Sequence, residues 1–189
     1  MTKEETPTLT LDLGLSDKEV FFIGRIVSQW GAIEHEVFVQ CLLTFDRTES
    51  EEITLPKAMN NLSFSNVLDL WKERVVDTSN EQHRKVLSQQ YERIVEVKDY
   101  RNALVHGMWS WSPSEPDVIT TTRIRKKDII TTKFKADDLV DFYTQIAQIY
   151  FNIKFPGGEE QFIEARMSQG GYISRKGFEV LFGNTVGGE

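Results

Sequence analysis

The sequence predicts a mainly α protein: an up-and-down four-helix bundle with a small antiparallel β meander inserted before the last helix. Three observations carry this. Apolar residues recur at helical spacing over four stretches. Cap residues and breakers sit at the ends of those stretches. Between the third and fourth, the pattern changes to short β-branched and aromatic runs separated by turn residues. With 189 residues, 40% hydrophobic and 27% charged, the chain is long enough for one well-cored domain.

Residues 1–15 read as a flexible, polar and acidic N-terminal arm rather than a signal peptide, with a short extended piece in "TLTLDLG". The first helix starts at Ser16, whose Ser-x-x-Glu spacing to Glu19 is a capping box. It runs to about Phe45 through Val20, Ile23, Val27, Trp30, Phe38, Cys41 and Leu42. "DRTESEEITLP" connects onward, and "KAMNNL" forms one turn. Ser63 or Ser65 opens the second helix, with Val67, Leu68, Leu70, Trp71 and Val75 inward, and "DTSN" breaks it. The third helix is expected to start at Ser79, paired with Gln82 in a second capping box, and to end at His106, with Gly107 as a left-handed stop.

The meander, at about 107–134, comprises "GMWSWS", "DVITTTRIR" and "IITTKF", separated by "PSEP" and "KKD". The fourth helix spans about Asp137 to Lys154, with Leu139, Phe142, Ile146, Ile149 and Tyr150 on one side. The bundle with its insertion therefore occupies 16–155. Residues 156–189 form a C-terminal extension with one helical piece, "EEQFIEARM", and an otherwise Gly-rich, partly disordered tail.

Composition narrows the function. No apolar run approaches the roughly 20 residues of a membrane-spanning helix. The single cysteine, Cys41, excludes an internal disulfide and suits a reducing cytoplasm. A net charge of −7 leaves no global basic surface, so any nucleic-acid contact must use a local patch. No metal or cofactor is expected. "HEVFV" lacks the second His of a zinc-protease helix, and no phosphate-binding loop, dinucleotide glycine pattern or serine-hydrolase elbow is present.

Two polar residues on helix three attract attention. At about 100° per residue, Val86, Leu87, Ile94, Val97, Leu104 and Val105 form one arc, and Arg101 lies in its middle. A guanidinium there needs a carboxylate. Glu34 falls near the centre of the apolar arc on the first helix, so a buried, bidentate Glu34–Arg101 ion pair is expected. Breaking such a pair by Glu34→Ala would cost about 3–5 kcal/mol. Arg101 is thus either a structural cation or a chemical one. His106 lies about 140° round from it and shares a polar outer face with Asp99 and Asn102. It sits at a helix C-terminus, where the macrodipole favours positive charge. It is either a solvated helix end or a general acid/base.

"RNALVH", with Arg followed after four residues by His, and Asn102 directly after the Arg, resembles the Arg-x4-His motif of the HEPN superfamily (higher eukaryotes and prokaryotes nucleotide-binding). The placement is similar too: "WGAIEHE" on the first long helix, the motif at the end of the third, then a returning helix. The resemblance covers residues 16–155. It implies a metal-independent endoribonuclease, of the kind found among prokaryotic toxins and antiviral effectors. The site would be composite, formed in a homodimer, with RNA as substrate and an antitoxin or defence-system protein as partner. His106 would handle the proton of the RNA 2′-OH or of the leaving 5′-oxygen. Arg101 would stabilise the phosphorane, and Asn102 would orient one of them. The alternative within the same fold is a catalytically silent module for dimerisation and protein or nucleic-acid binding.

The meander carries its own charge: Arg123, Arg125, Lys126, Lys127, Lys133 and Lys135 against Asp128. Trp109 and Trp111 alternate, so both lie on one strand face. Together with Arg123, Arg125, Lys126 and Lys127 they can stack and neutralise single-stranded RNA. More often such tryptophans cover a bundle's end while the lysines keep a sheet edge soluble.

Overall fold

The computed structural model describes residues 13–45 and 56–168. The N-terminal arm through residue 12, most of the connector after the first helix, and the tail from residue 169 lie outside the described residues. Helix α1 (Asp17–Leu43) begins as expected: Ser16 caps it, and Glu19 completes the capping box by accepting from the Ser16 backbone N–H at 2.7 Å. A 3-10 turn (Lys57–Met59) precedes α2 (Phe64–Trp71), capped by Ser63. The chain then widens into a π turn over Lys72–Val76. That turn brings Arg74 onto the end of α1, where it donates to the Thr44 carbonyl at 2.8 Å and lies over the Phe45 ring. A cation is thereby placed at the negative end of the helix dipole.

Helix α3 (Glu81–His106) ends at His106 as expected, but it is capped differently at both ends. Asn80, not Ser79, is the cap: its side chain accepts from the His83 N–H at 2.9 Å. Ser79 instead donates back to the Val75 carbonyl at 2.7 Å, because it still belongs to the end of the preceding turn. Gly107 is not left-handed; it is extended, at φ −82° and ψ 149°. Glycine is needed there for space. A Cβ would sit 2.6 Å from both the Ala103 carbonyl oxygen and the Thr121 Cβ.

The meander forms as expected. Strands β1 (Met108–Trp111), β2 (Val118–Arg125) and β3 (Asp128–Lys135) pair antiparallel in the order β1-β2-β3. Lys126 and Lys127 make the β2–β3 turn, with Lys126 at positive φ. Trp109, Ile119, Thr121 and Phe134 face the helices. Helix α4 (Ala136–Lys154) returns alongside α1, and α5 (Gly158–Ser168) adds a short fifth helix. The chain is therefore mainly helical with a three-stranded antiparallel sheet before the last long helix, and no helix among the described residues is long and apolar enough to cross a membrane.

One core joins these elements. Ile26, Trp30, Ile33, Val37 and Cys41 of α1 pack with Leu68 and Trp71 of α2, Ile94 and Leu104 of α3, and Leu139, Ile146 and Ile149 of α4. Tyr100 of α3 fixes the sheet to the bundle by edge contacts with Phe134 and Phe142 at 4.7 and 4.6 Å between ring centres. Burial pushes its phenol up to about 12.

The Cys41 thiol, wholly buried, donates to the Val67 carbonyl, and desolvation raises it from 9.0 to about 11. Between those values the folded chain holds a proton that the unfolded chain releases, so folding stability falls as pH climbs above about 9. Chemical denaturation midpoints at pH 8 and pH 10.5 check this. Replacing Cys41 by Ala removes its share of the drop.

Candidate functional site

The last turns of α3 run into β1 with only Gly107 between them. β2 pairs with β1 and must therefore pass back beside the helix end. Its odd-numbered residues face the bundle, as the burial of Ile119 and Thr121 shows. The next two on that face are Arg123 and Arg125, and both meet Asp99, about two turns back from His106 along α3. Arg125 Nη1 lies 3.0 Å from one Asp99 carboxylate oxygen and Arg123 Nη2 3.6 Å from the other.

A hollow of about 360 Å³ opens there. His106 and Asn102 line it from the helix, with Lys98 and Asp99, while Arg123 and Arg125 line it from the strand. Ser65 of α2 completes the wall and accepts from Lys98 Nζ at 3.3 Å. Three cations thus face one carboxylate, on a chain whose net charge is −7. His106 is exposed and has no hydrogen-bond partner among the described residues. The helix end is closed instead by the Gly107 N–H on the Ala103 carbonyl at 3.0 Å. The imidazole is therefore available to an incoming group.

Arg101 points the other way, toward α1. Its Nη2 reaches Glu34 Oε1 at 3.5 Å, and its guanidinium lies over the Trp30 ring. The expected interhelical pair forms, but it is neither bidentate nor buried. Glu34 is 35% exposed and Arg101 19%. The reason lies on α1. Its buried stripe is Ile26, Trp30, Ile33, Val37 and Cys41, whereas Val20 and Val27, expected inside, are exposed. Glu34 lies about 60° off the centre of that stripe, at its edge. Its Oε1 also accepts from the buried Trp30 Nε1 at 2.6 Å.

The cost of Glu34→Ala is accordingly reset to about 1–2 kcal/mol. A partly exposed ion pair at 3.5 Å contributes little, so most of it comes from stranding the buried indole N–H. Thermal unfolding of Glu34→Ala against Glu34→Gln separates the two terms, since Gln keeps an acceptor for Trp30. Equal losses in both variants would mean that the charge matters more than the indole.

Asn102 connects the two sides of α3. Its Oδ1 accepts from Arg101 Nη1 at 3.1 Å. With the oxygen so engaged, the amide NH2 is left as a donor, and Asn102 is part of the hollow's wall. Within one chain, then, the motif residues do not converge. Asn102 and His106 share the hollow, and Arg101 acts on it only through Asn102.

No family model, curated protein or solved structure matches this chain.

The basic and aromatic residues of the meander part company. Arg123 and Arg125 join His106. Lys126 and Lys127 are exposed at the turn and do not line the hollow. Trp109 packs on Phe134, partly buried against the core. Trp111 is at the other end of the sheet, donates to the Pro116 carbonyl at 3.0 Å, and borders a separate hollow with Gly14, Lys135 and Asp137. One RNA-binding strip of both tryptophans and all four cations is therefore not what the fold builds.

Ser65 and Lys98 were not expected at the site. Lys98 could have been anticipated, one helical turn before Asn102 on the face already assigned to Asp99. Ser65 had no local signal. No three His, Cys, Asp or Glu side chains converge among the described residues, so none of them offers a ready metal-holding cluster.

Proposed function

We propose that this chain is a HEPN-type, metal-independent endoribonuclease, an up-and-down helical bundle acting as a homodimer in the cytoplasm, with a toxin or antiviral role held in check by an antitoxin or defence-system partner. The observation that carries the reading is the hollow at the end of α3. There an exposed, unengaged imidazole, an amide donor and three cations gather on an otherwise acidic chain.

The chemistry suits that set. The RNA 2′-oxygen attacks the adjacent phosphorus, and the P–O5′ bond breaks. A 2′,3′-cyclic phosphate and a 5′-hydroxyl result. His106 takes the 2′-OH proton or supplies one to the leaving 5′-oxygen. The Asn102 amide donates to a non-bridging oxygen, where charge builds in the transition state. Arg101 holds Asn102 in that orientation. Two chains meeting at their α3 ends would bring two His106 side chains to one groove, one as base and one as acid.

A second reading has its own support: a catalytically silent module of the same fold that binds nucleic acid or a partner protein. Arg101 is engaged by Glu34 and Asn102 rather than directed into the hollow. The test is incubation of purified protein with single-stranded RNA in excess EDTA, with light scattering on the same sample. Cleavage to cyclic-phosphate ends by a dimer is expected. Intact RNA bound by the protein selects the module, and a monomer at working concentration removes the composite site.

A further inference from the structure

The hollow beside His106 already holds an anion, and it is the protein's own. The Asp99 carboxylate spans two guanidinium groups, one oxygen toward Arg125 at 3.0 Å and the other toward Arg123 at 3.6 Å. We propose that Arg123 and Arg125, with Lys98, form a second phosphate subsite for a single-stranded RNA backbone, adjacent to the phosphate attacked at His106, and that Asp99 is its built-in competitor. The proposal rests on the RNA reading of this hollow.

The donor set matches. Guanidinium forks meet phosphate oxygens in the geometry they use for carboxylates, so a group that accepts Asp99 accepts a phosphodiester. Arg123 is largely buried, and its Nε–H has no acceptor among the described residues. Arg101 cannot serve the same purpose, because it faces α1.

Asp99 is displaceable. It is 56% exposed, as is Arg125, and exposed ion pairs of this kind hold weakly. A fixed carboxylate beside the cations keeps them oriented while no RNA is present. It also sets a threshold that a single phosphate does not pass easily and a polyanion does. Among the described residues, the charged and titratable groups lining this point are Lys98, Asp99 and His106 of α3 and Arg123 and Arg125 of β2, with Ser65 the neutral contribution of α2.

The test is fluorescence anisotropy of a labelled single-stranded oligoribonucleotide, in EDTA, in a His106→Ala background so that the probe stays whole. Asp99→Asn is expected to bind about fivefold tighter, since it removes a competing charge but keeps the side-chain shape. Arg125→Gln is expected to bind about fivefold weaker. It should also reduce the slope of log affinity against log salt by about 0.7, the loss of one single-strand phosphate contact. Unchanged binding in both variants overturns the subsite.

The nuclease reading fails separately. Arg125-dependent binding without cleavage by any form of the protein keeps the subsite and discards the enzyme. Cleavage with a KM indifferent to Arg125 keeps the enzyme and discards the subsite.

Discussion

Replacing His106 by alanine is expected to lower RNA cleavage by about 10²–10⁴-fold, the range removed with a general acid or base, while leaving thermal stability unchanged. The second half of that expectation makes the first informative. His106 is exposed and makes no hydrogen bond within the described structure, so the fold does not depend on it. Its neighbours confine the loss to chemistry. On the proposed reading Asn102, Lys98 and Arg125 would still hold RNA, so affinity should change far less than rate. Gel analysis of end-labelled RNA in EDTA, with a melting curve on the same preparation, measures both. Identical product ladders from the wild type and His106→Ala would end the enzymatic reading.

Gly107→Ala is expected to destabilise the protein by about 2–3 kcal/mol, the cost of forcing a methyl group into filled space. For a chain of this length that lowers Tm by roughly 5–10 °C. The methyl would collide with the Ala103 carbonyl and with Thr121, each 2.6 Å from its position. Neither can retreat cheaply. The carbonyl belongs to the last turn of α3, and Thr121 is buried in the central strand, opposite Trp109. Relief must come from β2 lifting off the helix end, and β2 carries Arg123 and Arg125. RNA affinity should therefore fall together with stability. Thr121→Ala in the same chain should recover part of both by removing one side of the collision. A Gly107→Ala protein that melts like the wild type would show that β2 is not seated tightly on α3.

The helices and strands were legible because local patterning controls them. The Ser16–Glu19 capping box, the β-branched runs of the meander and the Lys126–Lys127 turn each form through neighbours a few residues apart. Local patterning is insufficient where two local signals compete or where space decides. Ser79 and Asn80 are both good caps, and the π turn before them decided between the two by leaving Ser79 inside its own last turn. Gly107 looked like a left-handed stop, yet its glycine is required by a strand that sequence alone could not place against it.

The same division runs through the site. Helical periodicity was enough to put His106 and Asn102 on one polar face at the end of a long helix, with Arg101 on another, because those angles hold whatever surrounds the helix. It also determined that Arg101 would look to Glu34. How well that pair is made depends on packing between helices. Which residues of α1 are buried depends on how the helix rolls against α2 and α4, and a roll of half a residue's arc moved Glu34 to the rim. Tertiary structure also decided that Arg123 and Arg125 belong with His106 and the tryptophans do not. Strand alternation sets a side chain's face, but only the docking of the sheet on α3 through Tyr100, Phe134 and Phe142 sets what that face meets.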